Sequence, residues 1–354
     1  MQRPPIMDDV ERVVVYRLGS IGDAVVALPF FHRLTQLYPQ AEKIVLTNAP
    51  ISALAAPMAS ILGYGPLVSK YIAYPLQLRS VNQIRKLRSE LRRQRASVLI
   101  YMAASRGLAS AWRDLTFFRL CGFRQVIGIP LNQDLQRNRV DPSTGEIEPE
   151  CERLARALWQ LGPINLHDAR MWDLLLTPEE LARGQQIVAN FKEQKFVAIH
   201  AGGKTLQKDW GADKWLSLLA TLGPELGDCG LLVVGAVEDS PRYEVITATW
   251  PSTVINICGK ATPRESVAAM QYARLFVGHD SGPLHLASVC QVPSIGLFGD
   301  LNKPKKWHPY VGMRSIIHNV NGIQHITVAE VTETFRDLYA RSESNCEGTV
   351  PCAR

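Results

Sequence analysis

Short β-branched runs recur along the chain, each closed by a small polar turn and followed by residues with the apolar spacing of a helix. The first, Arg12 to Arg17 (RVVVYR), passes through Leu18-Gly19-Ser20-Ile21-Gly22-Asp23 into a helical segment. Its apolar positions are Val25, Val26, Leu28, Phe31, Leu34 and Leu37, and it ends before Pro39. Lys43 to Thr47 predicts a strand and Val81 to Gln94 an amphipathic helix with apolar positions Val81, Ile84, Leu87 and Leu91. Ser97 to Met102 (SVLIYM) predicts another buried strand, which leads into the small-residue loop Ala103 to Gly107.

From Gln125 to Glu150 the period is lost among Asn, Asp, Pro and Gly, and the segment is expected to be a long loop near a ligand cleft. Glu150 to Leu161 is helical again, and Gly162 to Pro178 is the expected linker. The second half restarts the alternation: helix Pro178 to Gln194, strand Phe196 to His200, helix Lys214 to Leu222, strand Gly230 to Gly235, helix Asp239 to Ala248, strand Val254 to Asn256 and helix Pro263 to Tyr272. A last helix is expected at 328–341, packing back on the first domain, with a polar, disordered tail at 342–354. Alternating strands and helices imply parallel sheets covered on both faces. The expected organisation is α/β, with two doubly wound Rossmann-like domains at 1–170 and 171–327 facing a central cleft.

The best-patterned stretch is Phe276 to Asp300, FVGHDSGPLHLASVCQVPSIGLFGD. An apolar run ends in the turn Gly278-His279-Asp280-Ser281-Gly282, and Pro283 opens a helix with Leu284, Leu286, Ala287 and Val289 on apolar spacing. A second strand, Ser294 to Phe298, completes a βαβ unit. Its turn belongs at the carboxyl edge of the sheet, where open α/β sheets bind ligands and free helix N–H groups favour phosphate.

The composition, 46% hydrophobic and 20% charged over 354 residues, is that of a globular protein with two cores rather than one. No apolar run approaches the ~18 residues of a membrane span, and residues 1–11 lack the core of a signal peptide, so a cytoplasmic location is expected. The 7 cysteines show no paired spacing; Cys229, Cys258 and Cys290 sit in or beside apolar segments and are expected in the core, which argues against a disulfide framework or a metal site. The net charge of +6 is unevenly spread: Arg79, Arg85, Lys86, Arg88, Arg92, Arg93 and Arg95 face a single acid, Glu90, and further arginines follow through Arg139. This is either a solvated helix face or a surface for anionic lipid or a phosphorylated acceptor. Aromatic residues are not interleaved with these charges, which argues against nucleic acid.

The candidate chemistry lies at the turns. Gly19 and Gly22 let a ligand approach the backbone; Asp23 is either a helix cap or a base that accepts a proton from an attacking hydroxyl. Gly202 and Gly203 follow a strand end and precede Lys204 and Lys208, of which Lys208, beside Trp210, is the better phosphate candidate. Glu238 suits a ribose hydroxyl, with a helix cap shared with Asp239 as the alternative. Asp280 and His285 stand one helical turn apart beside Ser281 and Gly282, whereas His279, Cys290 and His308 have no comparable support. The first turn is not G-x-G-x-x-G, no acid ends the second strand and no P-loop is present, so a nicotinamide enzyme and a P-loop nucleotidase are excluded.

RLGSIGDAVVALPFFHRLTQLYP (17–39), HAGGKTLQKDWGADKW (200–215), VGAVED (234–239) and DSGPLHLASVCQVPSIGLFG (280–299) together resemble the glycosyltransferase family 9 enzymes that include the ADP-heptose:lipopolysaccharide heptosyltransferases. The resemblance implies a GT-B fold, inversion at the anomeric carbon, and no cofactor or essential metal. By motif position it implies Asp23 as catalytic base, Lys208 at the donor diphosphate and sugar, Glu238 at the ribose, and Asp280 at the transferred sugar. Ser281, Gly282 and His285 would hold the departing diphosphate, with Gly202 and Gly203 lining the donor site. Gly19, Ser20, Gly22 and Arg106 are the implied acceptor or phosphate contacts. The implied partners are a nucleotide-sugar donor and a lipid-linked or lipopolysaccharide acceptor at the inner face of the cytoplasmic membrane. A nucleotide-sugar epimerase and a non-catalytic binding relative are the alternatives. Two departures stand out. Family members often carry hydroxyl residues where this chain has Gly202 and Gly203, and a Pro-Thr pair where it continues Asp300-Leu301-Asn302-Lys303.

Overall fold

The computed structural model describes residues 10–48, 56–75, 80–203, 205–301 and 303–346. Arg79, Lys204, Asn302, Cys352 and the rest of the tail beyond 346 lie outside the described residues. The chain divides into two compact units, Met1–Asp173 and Leu174–Arg354.

The first unit holds strands β1 (Arg12–Tyr16), β2 (Glu42–Asn48), β3 (Lys70–Tyr74), β4 (Val98–Tyr101) and β5 (Gln125–Ile127), all parallel in the order β3-β2-β1-β4-β5. Val14 sits opposite Ile44 on one side and Leu99 on the other, and Val13, Val14 and Val15 are wholly buried. Helices cover both faces of such a strand, so its hydrophobic run is continuous rather than alternating. The order reverses direction between β1 and β4, which makes the carboxyl ends of those two strands the switch point.

Three expectations for this unit change. The single helix expected after Asp23 is two, Ile21–Val25 and Leu28–Leu37, because Pro29 opens the second and cannot donate into a continuous ladder. The segment Gln125 to Glu150 is not a loop throughout: it begins as β5, and later closes a Val140–Ile147 antiparallel bridge. In the helix Val81–Arg93 only Leu87 and Leu91 are buried, while Val81 and Ile84 face solvent. Strand β3 and the helix Leu108–Leu120 have no counterpart in the sequence reading.

The second unit holds β6 (Phe196–His200), β7 (Gly230–Val233), β8 (Val254–Asn256), β9 (Phe276–His279), β10 (Ser294–Phe298) and β11 (Arg314–His318), parallel in the order β11-β10-β9-β6-β7-β8. Its switch point lies between β6 and β9. Cys229 and Cys258 are buried in its core and Cys290 is half-buried; all three are free thiols. The last helix, Val328–Cys346, runs past the expected end at Arg341, so residues 342–346 are helical rather than disordered. Its apolar residues Val331, Phe335 and Leu338 enter the second unit's own core with Trp215, Leu218 and Leu222.

Candidate active site

At the first switch point, Asp23 stands in the turn after β1. Its Oδ2 accepts from the Ser20 N–H at 3.0 Å and its Oδ1 from Arg17 Nη2 at 3.2 Å, leaving the side chain 28% exposed. Arg17 itself is buried. Its Nε donates to the Asp23 carbonyl (3.1 Å) and its Nη1 to Met102 O beyond β4 (2.6 Å), so one guanidinium spans the switch point and fixes both the backbone and the carboxylate of Asp23. Behind it Glu150 lies 3.8 Å from Arg17 and pairs with Arg153 at 2.6 Å. Burial works against ionisation of Glu150, but Arg153, then Arg17 and Asn138, outweigh it and hold the carboxyl below its ordinary value.

Gly19 is irreplaceable here for two reasons. Its φ of +136° suits glycine, and a Cβ on it would lie 2.1 Å from the Asp23 carboxyl carbon. The Gly19 N–H donates to Asn48 Oδ1 at 2.7 Å, which ties the turn to β2. Ser20 and Gly22 are half-buried in the same turn. Arg106, in the loop after β4, is partly exposed, with Nη2 on Asp114 Oδ2 (2.8 Å) and 3.4 Å from the Tyr16 hydroxyl. Burial raises the Tyr16 and Tyr101 phenols above the ordinary range, and Tyr101 donates to the same Asp114 carboxylate.

The second switch point gathers most of the remaining candidates. Lys208 Nζ lies 2.8 Å from Asp280 Oδ2 and 3.3 Å from the Asp280 carbonyl, joining the loop after β6 to the turn after β9. Asp280 is 6% exposed and His285 4%, the latter in the first turn of the helix Gly282–Val289. Ser281 is its N-cap residue, and Ser281 Oγ donates to the His279 carbonyl at 3.2 Å. Gly202 and Gly203 lie in the loop after β6, and a Cβ on Gly202 would meet the Asp239 carboxylate at 2.5 Å. A side chain at Gly202 would therefore require Asp239 to move. Glu238 is exposed in the turn Val237–Asp239, and it is Asp239 that takes the capping role, accepting from the Ala236 N–H at 2.9 Å.

A model of the family described as glycosyltransferase family 9 (heptosyltransferase) matches residues 84–334. The chain belongs to glycosyltransferase family 9. A Haemophilus influenzae protein described as a glycosyltransferase is 21% identical over 308 residues, covering 85% of this chain and 86% of its own. The structure of a family 9 glycosyltransferase from Veillonella parvula superposes with a TM-score of 0.69 at 16% identity, over 96% of this chain and 100% of that one. An Escherichia coli ADP-heptose lipopolysaccharide heptosyltransferase II does so at 0.65 and 19%, over 94% and 99%. The fold is therefore GT-B, and the chain is a glycosyltransferase. The family match begins beyond Asp23 but includes Lys208, Glu238, Asp280 and His285.

Three groups of this family 9 enzyme escaped the sequence reading. Arg17 and Glu150 are the first. The second is the bidentate pair Arg242–Asp209, at 2.6 and 2.7 Å: burial opposes ionisation of Asp209, but Arg242 and the Gly211 N–H outweigh it and lower its pKa. Lys208, Asp209 and Trp210 are each anchored, since Trp210 Nε1 donates to Ile326 O at 2.9 Å. The third is His279. Its Nε2 accepts from Trp215 Nε1–H at 2.9 Å; an indole nitrogen only donates, so Nε2 carries no proton and Nδ1–H donates to Gly202 O at 3.2 Å. One neutral imidazole thereby fixes the glycine loop immediately beside Asp280. On the other side of that loop, Tyr243 OH accepts from the Ala201 N–H at 2.6 Å.

Burial, then the nearby His200, push His279 down to about 3, and burial lowers His200 too. Unfolded imidazoles titrate near ~6.5, so between that pH and about 3 the unfolded chain binds more protons. Stability is thus fully present above ~6.5 and falls as the pH drops, by up to ~1.4 kcal/mol per unit for each imidazole. His279→Gln, which keeps one acceptor and one donor, is expected to flatten this slope in urea titrations between pH 7.5 and 4.5. An unchanged slope would remove His279 as its source.

Proposed function

We propose that this enzyme is an inverting heptosyltransferase that takes ADP-heptose, or a closely related nucleotide-diphosphate sugar, and transfers the sugar to a lipid-linked or lipopolysaccharide acceptor at a membrane surface. The observation that carries the reading is the Lys208–Asp280 pair at 2.8 Å, which sets a cation and a carboxylate side by side at the β6/β9 switch point, next to a helix N-terminus. A diphosphate departing from an anomeric carbon requires preorganised positive charge, and the sugar requires an acceptor for its hydroxyls. The Escherichia coli heptosyltransferase II of this fold is named for ADP-heptose and lipopolysaccharide, which supports this choice of substrates.

In this reading the first unit binds the acceptor through the turn Gly19-Ser20-Gly22 and Arg106. Asp23 takes the proton as the acceptor hydroxyl forms its bond to the anomeric carbon. The bond to the diphosphate breaks with its electron pair, and Lys208, the Ser281-Gly282 N–H groups and His285 receive the charge. Glu238 meets the ribose from its exposed position beyond β7.

The donor is testable without the acceptor. A panel of nucleotide sugars in a thermal shift assay is expected to single out an adenosine-diphosphate sugar. At about 100 times its Kd that ligand adds ~2.7 kcal/mol, a shift of roughly 4 °C. If no nucleotide sugar stabilises the chain, the reading fails at its first step.

A further inference from the structure

The helices Val81–Arg93 and Leu108–Leu120 are crossover helices of the first sheet. The crossovers β3 to β4 and β4 to β5 advance in the same direction across the first sheet, so right-handed connections put both helices on one face. Arg88 Nε donates to Leu120 O at 3.1 Å, and Leu87, Leu91, Ala111 and Phe118 share one core beneath them.

The outer surface of this helix pair combines two features. Leu108, Trp112 and Leu120 fall at i, i+4 and i+12, with Thr116 at i+8 between them, and are 38%, 56% and 56% exposed, while Val81 and Ile84 are 64% and 39% exposed on the neighbouring helix. The two helices also carry seven basic residues and two acids, so nearly all of the chain's net charge of +6 resides there. The two acids are taken up within the pair, Glu90 by Arg93 and Gln94 and Asp114 by Arg113, Arg106 and Tyr101, so the excess is carried by Arg85, Lys86, Arg88, Arg92 and Arg119, all of them exposed.

We infer that this face docks the enzyme on a bilayer containing anionic lipid. The occupant follows from complementarity. Basic side chains meet a negative headgroup layer, while Trp112 and the leucines enter the boundary between headgroups and acyl chains, as in interfacial helices. A nucleic acid would match the charge but leave Leu108, Leu120, Val81 and Ile84 without partners. The inference rests on the reading of a lipid-linked acceptor, yet docking requires neither donor nor turnover, so the two can fail separately.

The test is sedimentation of the full chain with vesicles of phosphatidylcholine alone and with one-third phosphatidylglycerol. Binding is expected only to the anionic vesicles, weakening at least tenfold as salt screens the charge from 0.05 to 0.5 M. Arg85→Glu/Lys86→Glu/Arg92→Glu is expected to lose binding by at least tenfold. Trp112→Ser/Leu120→Ser should lose severalfold while keeping the salt dependence. Thermal shift with the best nucleotide sugar, unchanged in both variants, separates docking from donor binding and shows that they fold. Equal binding to both vesicle types, or wild-type binding by the charge-reversed variant, overturns the inference. So does unchanged vesicle binding in that variant combined with lost transfer to a water-soluble acceptor saccharide, which would make the face an acceptor-binding surface instead.

Discussion

Asp23→Asn is expected to lower kcat by 10²- to 10⁴-fold, the range for removal of a positioned general base, while leaving the affinity for the nucleotide unchanged. The separation follows from where the groups lie. Every candidate donor contact belongs to the second unit, and Asp23 and its partners belong to the first. Asparagine keeps one oxygen, so it can still accept from either the Ser20 N–H or Arg17, but not from both, and it cannot take a proton. The lost hydrogen bond should cost ~1 kcal/mol, seen as a fall of a few degrees in Tm. Steady-state kinetics with the donor at saturation, alongside calorimetric titration of the nucleotide, would decide it. Turnover within about threefold of wild type would reduce Asp23 to a cap for the helix Ile21–Val25.

Arg17 holds this carboxylate from one side, and Glu150 behind it is shared between Arg17 and Arg153. The alternating row Asp23, Arg17, Glu150, Arg153 is neutral in sum, and its inner members are buried. It therefore holds Asp23 in one orientation, the single positive excess behind it matched by the Asp23 carboxylate.

The stretch from Phe276 to Phe298 was readable because each local signal agrees: a β-branched and apolar strand, a Gly-containing turn, Pro283 at a helix start, and a second apolar strand. The helix Leu108–Leu120 was not readable, since its apolar residues point both inward (Ala111, Phe118) and outward (Trp112, Leu120) and leave no clean stripe. The same outward residues that hid the helix are the ones the docking face uses. Strand β11 is short and half-exposed at a sheet edge, which weakens its apolar signal. Among site residues, Lys208 and Asp280 were named separately through their motifs, but their pairing spans 72 positions and only the fold brings them together. His279 was passed over because its role depends on Trp215, 64 positions away, and on the Gly202 carbonyl at the neighbouring strand.

That pairing carries the second large expected effect. Lys208→Ala removes the cation from an Asp280 side chain that is only 7% exposed. Breaking a buried pair from one side costs about 3–5 kcal/mol, and the 29% exposure of Lys208 places this one toward or below the lower end. Two consequences should appear together: a Tm lower by several degrees, and nucleotide-sugar affinity weakened by at least thirtyfold, because the same ammonium is assigned to the diphosphate. The double variant Lys208→Ala/Asp280→Asn separates them. With the carboxylate replaced by an amide, stability is expected to recover toward wild type, a coupling of about 1–3 kcal/mol between contacting residues. Donor affinity is not expected to return, since neither an alanine nor an amide can neutralise a departing diphosphate. Recovery of both would mean that Lys208 only shields Asp280, and wild-type donor affinity in Lys208→Ala alone would remove it from the donor site. Recovery of stability without affinity leaves one consistent account, in which Asp280 holds Lys208 aimed at the place where the diphosphate's charge develops.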